Sequence, residues 1–484
     1  VSRSEQGPAI SRRTFLTATG AGAGLLAAGA GRLEALSGPA IVRRRPEVVV
    51  IGAGAFGGWT ALYLRRMGAR VTLVDAYGPG NSRSTSGDES RGIRSSYAER
   101  ELWVRMASLA IDRWKEWDAE WAKPFRMQLF FQTGDLIFRA DPEDRFIVNN
   151  KKSWDKLGLP YESPSVDDIR REYPQINCEG IQAVLYEPRA GVARARRTCE
   201  AVAEAFRRQG GTLLIARAAL GERRSGRLQH VTLDQASLLS ADVYVFACGP
   251  WLPKVLPEVM TDRLRTPLGR VVYFGTPPGD ERFTYPHLPS FNFPGVTGWP
   301  GLPADNRGFR VRGGSRPSAG GSGTGPGNRE AAPPSAAAPA GTSPGAAAAG
   351  RAPGGASAEG PPPRAIPPSE LDPDLSSRWV PPEALEGPRA FLAERFPDLK
   401  DAPIVATHAC HYETSVDRNP IVDRYPGLDN VWIAGGGSAE GFKLGPVIGE
   451  YIARRVLGQP TDPDWDEAFK LDEQKFEPNQ QFDL

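Results

Sequence analysis

Apolar and polar positions along the chain fall into a few clear patterns. Glu47–Ile51 is a continuous, mostly β-branched apolar run, the pattern of a strand buried on both faces. A glycine-rich turn follows. The spacing then predicts a helix over residues 56–67 and a second strand over 70–74 that ends at Asp75, which together make a βαβ unit. Residues 241–247 and 431–434 are two more apolar runs, ending in Cys248-Gly249-Pro250-Trp251 and Gly435-Gly436-Gly437. Buried strands that end in glycines so far apart in sequence predict one parallel sheet assembled from separated segments. Residues 198–208 read as another helix. Trp103, Met106, Ala110, Trp114, Trp117 and Trp121 recur at three- and four-residue spacing, one face of a helix. Their reading is core packing, with no site assigned.

Length and composition then set limits. A chain of 484 residues exceeds one ordinary core, so two domains are expected. Lys and Arg number 59 against 57 Asp and Glu. An electroneutral body argues against a nucleic-acid binder, which would carry a basic excess. The excess of Gly and Pro has a location: from Gly313 to Glu370, 47 of 58 residues are Gly, Pro, Ala or Ser. No aliphatic or aromatic side chain larger than Ala lies between Val311 and Ile366. Such a stretch cannot offset its ordering entropy by burial, so residues 313–370 read as a disordered insert or a frameshifted piece of GC-rich coding sequence.

The first 35 residues read as an address. Ser11-Arg12-Arg13-Thr14-Phe15-Leu16 is a twin-arginine pattern, followed by a weakly apolar Ala/Gly/Leu run to Ala30 that is too short for a membrane span. The expectation is export of the folded protein by the twin-arginine machinery to the periplasm or beyond. Cys178, Cys199, Cys248 and Cys410 show no paired spacing, which argues against a zinc site or a disulfide framework. No metal site is expected.

Gly52-Ala53-Gly54-Ala55-Phe56-Gly57 is G-x-G-x-x-G between a buried strand and a helix, with Asp75 at the end of the next strand. That context is the one a dinucleotide site requires. Gly52 permits the tight turn, Gly54 lets the backbone approach a pyrophosphate, and Gly57 allows close helix–strand packing. The helix N-terminus faces the phosphates, and Asp75 can accept from ribose hydroxyls.

Four downstream segments add to this motif: Ser86-Gly87-Asp88-Glu89-Ser90-Arg91-Gly92-Ile93-Arg94, Phe246 to Trp251, Cys410-His411-Tyr412-Glu413, and Gly435 to Lys443. With them the sequence resembles the monomeric sarcosine oxidase and N-methyltryptophan oxidase family of FAD-dependent amine oxidases. The resemblance implies FAD as cofactor, with Ser90, Gly249, Trp251, Gly436, Gly441 and Phe442 around it and Cys410 linked covalently to the flavin. It places Arg91 near the flavin and has Arg94 and Lys443 hold a substrate carboxylate, with Tyr412 beside the substrate. The family's oxygen-activating lysine has Arg310 as its nearest match. Glu440 stands where the family usually has histidine; a carboxylate there should repel a second acid and favour a cationic group on the substrate.

The expected fold is α/β, a Rossmann-like FAD domain (46–101, 187–260 and 415–460) interrupted by an α+β substrate domain (102–186, 261–312 and 371–414) with a mainly antiparallel sheet. The expected activity is oxidation of the C–N bond of an N-methyl or related amino acid, with molecular oxygen as acceptor. A 2-hydroxy-acid enzyme of the same fold and a non-catalytic flavin-binding protein remain open alternatives at this level.

Overall fold

Two sheets organise the chain, and the apolar runs place the first of them. The computed structural model describes residues 45–303, 307–314, 368–471 and 473–477; the expected signal segment and nearly all of the low-complexity stretch lie outside the described residues. The first sheet has six strands in the order Ile421–Arg424, Val431–Gly435, Val243–Phe246, Glu47–Ile51, Arg70–Asp75, Thr212–Ile215. Five run parallel, and Ile421–Arg424 pairs antiparallel with Val431–Gly435 at one edge. The expectation of a purely parallel sheet is corrected by that edge strand, which returns through a short connection and so needs no crossover helix. Val48, Val49 and Val50 are almost fully buried because elements cover the sheet on both faces, which is why this strand shows no alternation.

Helices close one face. Ala55–Arg66 lies against Gly441–Val456, where a Cβ at Gly445 would stand 2.7 Å from the Trp59 ring. Glycine there lets the Trp59 indole sink between the two helices. The tryptophan-rich helix, Glu101–Phe125, buries Trp103, Trp114, Trp117 and Trp121 on one stripe. Trp59 stacks on Trp121 at 5.5 Å, and Trp117 meets Trp121 at 4.6 Å between ring centroids. Burying about 200 Å² of each such ring contributes about 5 kcal/mol before ordering entropy is subtracted. The fourth helix begins at Ala195, a turn before the expected start. Thr198 lies inside the helix and returns its hydroxyl to Arg194 O at 2.6 Å.

The second sheet has seven strands, ordered Ile404–His411, Leu268–Phe274, Phe309–Gly313, Val296–Trp299, Ser290–Phe293, Asp135–Arg139, Ala183–Glu187. Its pairs are antiparallel except Ser290–Phe293 with Asp135–Arg139. This is the α/β architecture with a mainly antiparallel second sheet that the sequence implies. A small three-stranded sheet, with Gly191–Arg194 between Ser90–Ile93 and Phe130–Phe131, carries Arg91.

Candidate active site

The strand–turn–helix at Glu47–Arg66 builds one wall of a cleft of about 1140 Å³. Gly52 sits at φ +105°, and a Cβ on it would collide with Ala247 O. A Cβ on Gly57 would fall inside the radius of Gly52 O, whereas one on Gly54 would meet no protein atom within 4 Å. Two of the glycines are therefore required by the protein itself, and the third leaves a bare surface toward the cleft. Gly54 caps the helix without a side-chain hydrogen bond, so the first backbone N–H groups keep their capacity to bind an anion. Asp75 Oδ2 accepts from Ala53 N at 2.7 Å, and Oδ1 accepts from Tyr77 N and Gly78 N at 2.9 and 2.8 Å. Oδ2, with one donor, retains acceptor capacity, and Asp75 lines the cleft. Bare glycine backbone, a helix N-terminus and an acid at the next strand end fit a dinucleotide such as FAD.

A second cavity of about 870 Å³ opens over the seven-stranded sheet. The two share Thr85, Arg91, Ala439 and Phe442 in their walls, so they meet at Arg91. Asp88 organises this junction. Its carboxylate, 2% exposed, pairs with Arg91, lies 3.4 Å from Arg310 Nη2 and accepts from Tyr273 Oη at 2.8 Å. Burial would raise the Asp88 pKa, but Arg91 and Arg310 outweigh it and hold the carboxyl well below the usual range. Arg91 also donates to Thr85 O at 2.7 Å and to Cys410 Sγ at 3.3 Å. Burial opposes the Cys410 thiolate, yet Arg91 and His408 together lower its pKa, the environment of a reactive sulfur. Arg310 packs its guanidinium 3.8 Å above the Trp299 ring, and its Nε and Nη1 are buried with no hydrogen-bond partner among the described residues.

At the other end of the second cavity stand Arg94, Lys443 and Glu440. Glu440 pairs with Lys443 one turn along the same helix, accepts from Tyr97 Oη at 2.9 Å and lies 3.7 Å from Arg94 Nη2. Burial pushes Glu440 up, but Lys443 and Arg94 reverse it and hold the carboxyl well below its ordinary value. Burial pushes the Lys443 ammonium down against the pull of Glu440. Trp114 Nε1 donates to Lys443 O at 2.7 Å, and the Trp114 ring stacks on Phe442, so the tryptophan stripe also fixes the start of this helix. Asp135 faces the same cavity. Burial raises it to about 6, and raises Glu187, its register partner on the next strand, to about 7.

Most expected residues converge here. Gly52, Gly54, Asp75, Gly249, Trp251, Gly441 and Phe442 line the first cleft; Arg91, Arg94, Arg310, Cys410, Tyr412, Glu440 and Lys443 line the second cavity. Gly57 packs helix on strand, as its position requires. Two expectations are corrected. Ser90 lies behind the cleft, where its hydroxyl accepts from Trp299 Nε1 at 2.9 Å, because strand alternation turns it away from the face that carries Arg91. Gly436 is a turn residue at φ +71°, and its neighbour Gly437 lines the cleft. Sequence reasoning gave no role to Asp88, Tyr273, Asp135 or Glu187.

Comparison with known proteins agrees with this geometry. The family model described as FAD dependent oxidoreductase matches residues 47–455. Monomeric sarcosine oxidase of Bacillus sp. (strain B-0618) is 24% identical over 431 residues, covering 86% of this chain and 94% of its own. N-methyl-L-tryptophan oxidase of Yersinia pestis (strain Pestoides F) is 25% identical over 276 residues, covering 55% and 69%. The crystal structure of L-proline dehydrogenase from P. horikoshii superposes with a TM-score of 0.65 at 18% identity, covering 86% of this chain and 95% of that one. The matched span contains both sheets and both cavities, and the chain belongs to the FAD dependent oxidoreductase family.

Proposed function

We propose that the protein is an exported flavoenzyme that oxidises the C–N bond of a secondary amine or amino acid, passing electrons to molecular oxygen. The observation that carries this reading is the junction of the two cavities at Arg91, with Cys410 in the wall beside it. A dinucleotide held by Gly52, Gly54 and Asp75 reaches that junction from one side and a small amine from the other. Bound FAD supplies the two-electron oxidation of the CH–NH unit to an imine, which water then hydrolyses. The chain's own residues position and polarise. Arg91 favours the Cys410 thiolate, and Arg310 presents two donors without partners among the described residues where negative charge on oxygen needs a cation. The site needs no strong general base, because the neutral amine can be selected from solution. The similarity to sarcosine and N-methyltryptophan oxidases supports the amine reading. The twin-arginine pattern at Ser11–Leu16 supports export, a route that suits a protein loaded with its cofactor before it crosses the membrane.

Cys410 is the residue assigned to covalent attachment. Cys410 Sγ would hold the flavin through a thioether, an S–C bond in place of its S–H and one flavin C–H, with two protons and two electrons passing to oxygen. The test is a visible spectrum before and after acid precipitation. Yellow colour should stay with the wild-type pellet and move to the supernatant in Cys410→Ala; release from wild type refutes the linkage. Peroxide release with N-methyl amines supports the activity, whereas flavin bleaching by 2-hydroxy acids alone overturns it.

A further inference from the structure

We propose that this chain fills its own carboxylate clamp with Glu440, and that the cavity therefore takes an amine whose second polar group is a hydrogen-bond donor, received by Asp135, in place of an α-carboxylate. The inference rests on the amine-oxidising reading and names its substrate class. Two cations facing one cavity make a carboxylate clamp only while they are free. Here Lys443 and Tyr97 both donate to Glu440 Oε2, and Glu440 Oε1 lies 3.7 Å from Arg94. Arg94 Nη1 is also engaged, by Ser96 O at 2.7 Å and Ser96 Oγ at 3.0 Å. The Lys443, Glu440 and Arg94 side chains are 6, 10 and 14% exposed, so their charges are met mainly by one another. A substrate carboxylate would have to displace a buried anion from two donors and an ion pair or sit against it.

The same wall offers an acceptor instead. Asp135 is 3% exposed; its Oδ1 accepts from Ser290 Oγ at 2.8 Å, while its buried Oδ2 has no partner among the described residues. A buried carboxylate oxygen without a donor is costly, and a substrate O–H or N–H in the cavity satisfies it. Glu440 and Asp135 offset the charges of Arg94 and Lys443 at this end. Arg312 lines the cavity further along the sheet without a partner among the described residues and is the rival anchor for a carboxylate.

Four amines with one skeleton separate these cases: sarcosine, N-methylethanolamine, N-methylethylenediamine and N-methylpropylamine. For the wild-type holoenzyme, kcat/KM for the hydroxyl or ammonium compound should exceed that for sarcosine and for N-methylpropylamine by at least about tenfold. The two donor compounds show which donor is preferred. Asp135→Asn should narrow the ratio of donor compound to N-methylpropylamine. Acetate, titrated by the change in flavin absorbance, should bind Glu440→Gln about tenfold or more tighter than wild type. A wild-type preference for sarcosine, or equal acetate affinity in the two proteins, overturns the inference; loss of that affinity in Arg312→Ala would then locate the rival anchor. A colourless protein would instead overturn the flavin reading beneath it.

Discussion

Glu187 and Asp135 should make stability fall as pH rises through neutrality, and Glu187→Gln should remove much of that slope. Glu187 is 2% exposed, with Oε1 held by Ser95 N and Ser95 Oγ at 2.7 Å each and Oε2 without a partner among the described residues. Burial raises it from 4.5 to about 7, with the neighbouring Asp135 adding to the rise. The folded pKa lies above the unfolded one, so the native state binds the extra proton. Its contribution is complete below about pH 4.5 and is lost as pH climbs through about 7. The loss is about 3 kcal/mol in all, of which about 2 kcal/mol falls between pH 5 and pH 8. Gln keeps the oxygen that Ser95 needs and does not titrate. Urea unfolding of both proteins at pH 5 and pH 8 measures the difference, since every other titrating group is common to the two. Equal pH slopes would refute the argument and mean that the pair is hydrated or relaxed in solution.

Three further outcomes follow from the cleft and the junction. Gly57→Ala forces a Cβ against Gly52 O and should give poorly folded, colourless protein. Gly54→Ala meets only open space in the protein and should keep its melting temperature while retaining flavin about tenfold less tightly, read from absorbance after dialysis. Asp88→Asn strands the buried charges of Arg91 and Arg310 and should cost about 3–5 kcal/mol in urea unfolding; a loss under 1 kcal/mol would mean that the two guanidinium groups find other partners.

The cofactor side of the molecule was legible because its requirements are local. A tight turn, a close backbone approach and an acid at the next strand end all fall within Gly52 to Asp75, and each leaves a residue type that few others can replace. The substrate side was legible only where a motif carried it, at Arg91, Arg94, Cys410 and Lys443. Asp88 stood inside a quoted motif and still gave no sign of its role, since its partners Tyr273 and Arg310 lie 185 and 222 residues away. Asp135 and Glu187 look like ordinary acids in short strands. Only the register that sets them side by side makes them buried neighbours. Ser90 was misplaced for a reason the sequence did contain: once Arg91 faces the cleft, a two-residue period sends Ser90 to the other side.

Core and site are not separate parts of this fold. The tryptophan stripe was read as packing, and it is packing, yet Trp114 fixes Lys443 O and stacks on Phe442. Phe442 belongs to the wall shared by both cavities, and Lys443 holds Glu440. The position of Glu440 is thus set by helix packing against Trp59 and Trp114, and relaxation of one exposed side chain would not release it. For a substrate carboxylate to enter the clamp, the Glu440 side chain must rotate away from Lys443, Tyr97 and Arg94 at a helix start packed by Trp59 and Trp114. That rigidity is the physical reason to expect the chain's own carboxylate, and not the substrate's, between Arg94 and Lys443.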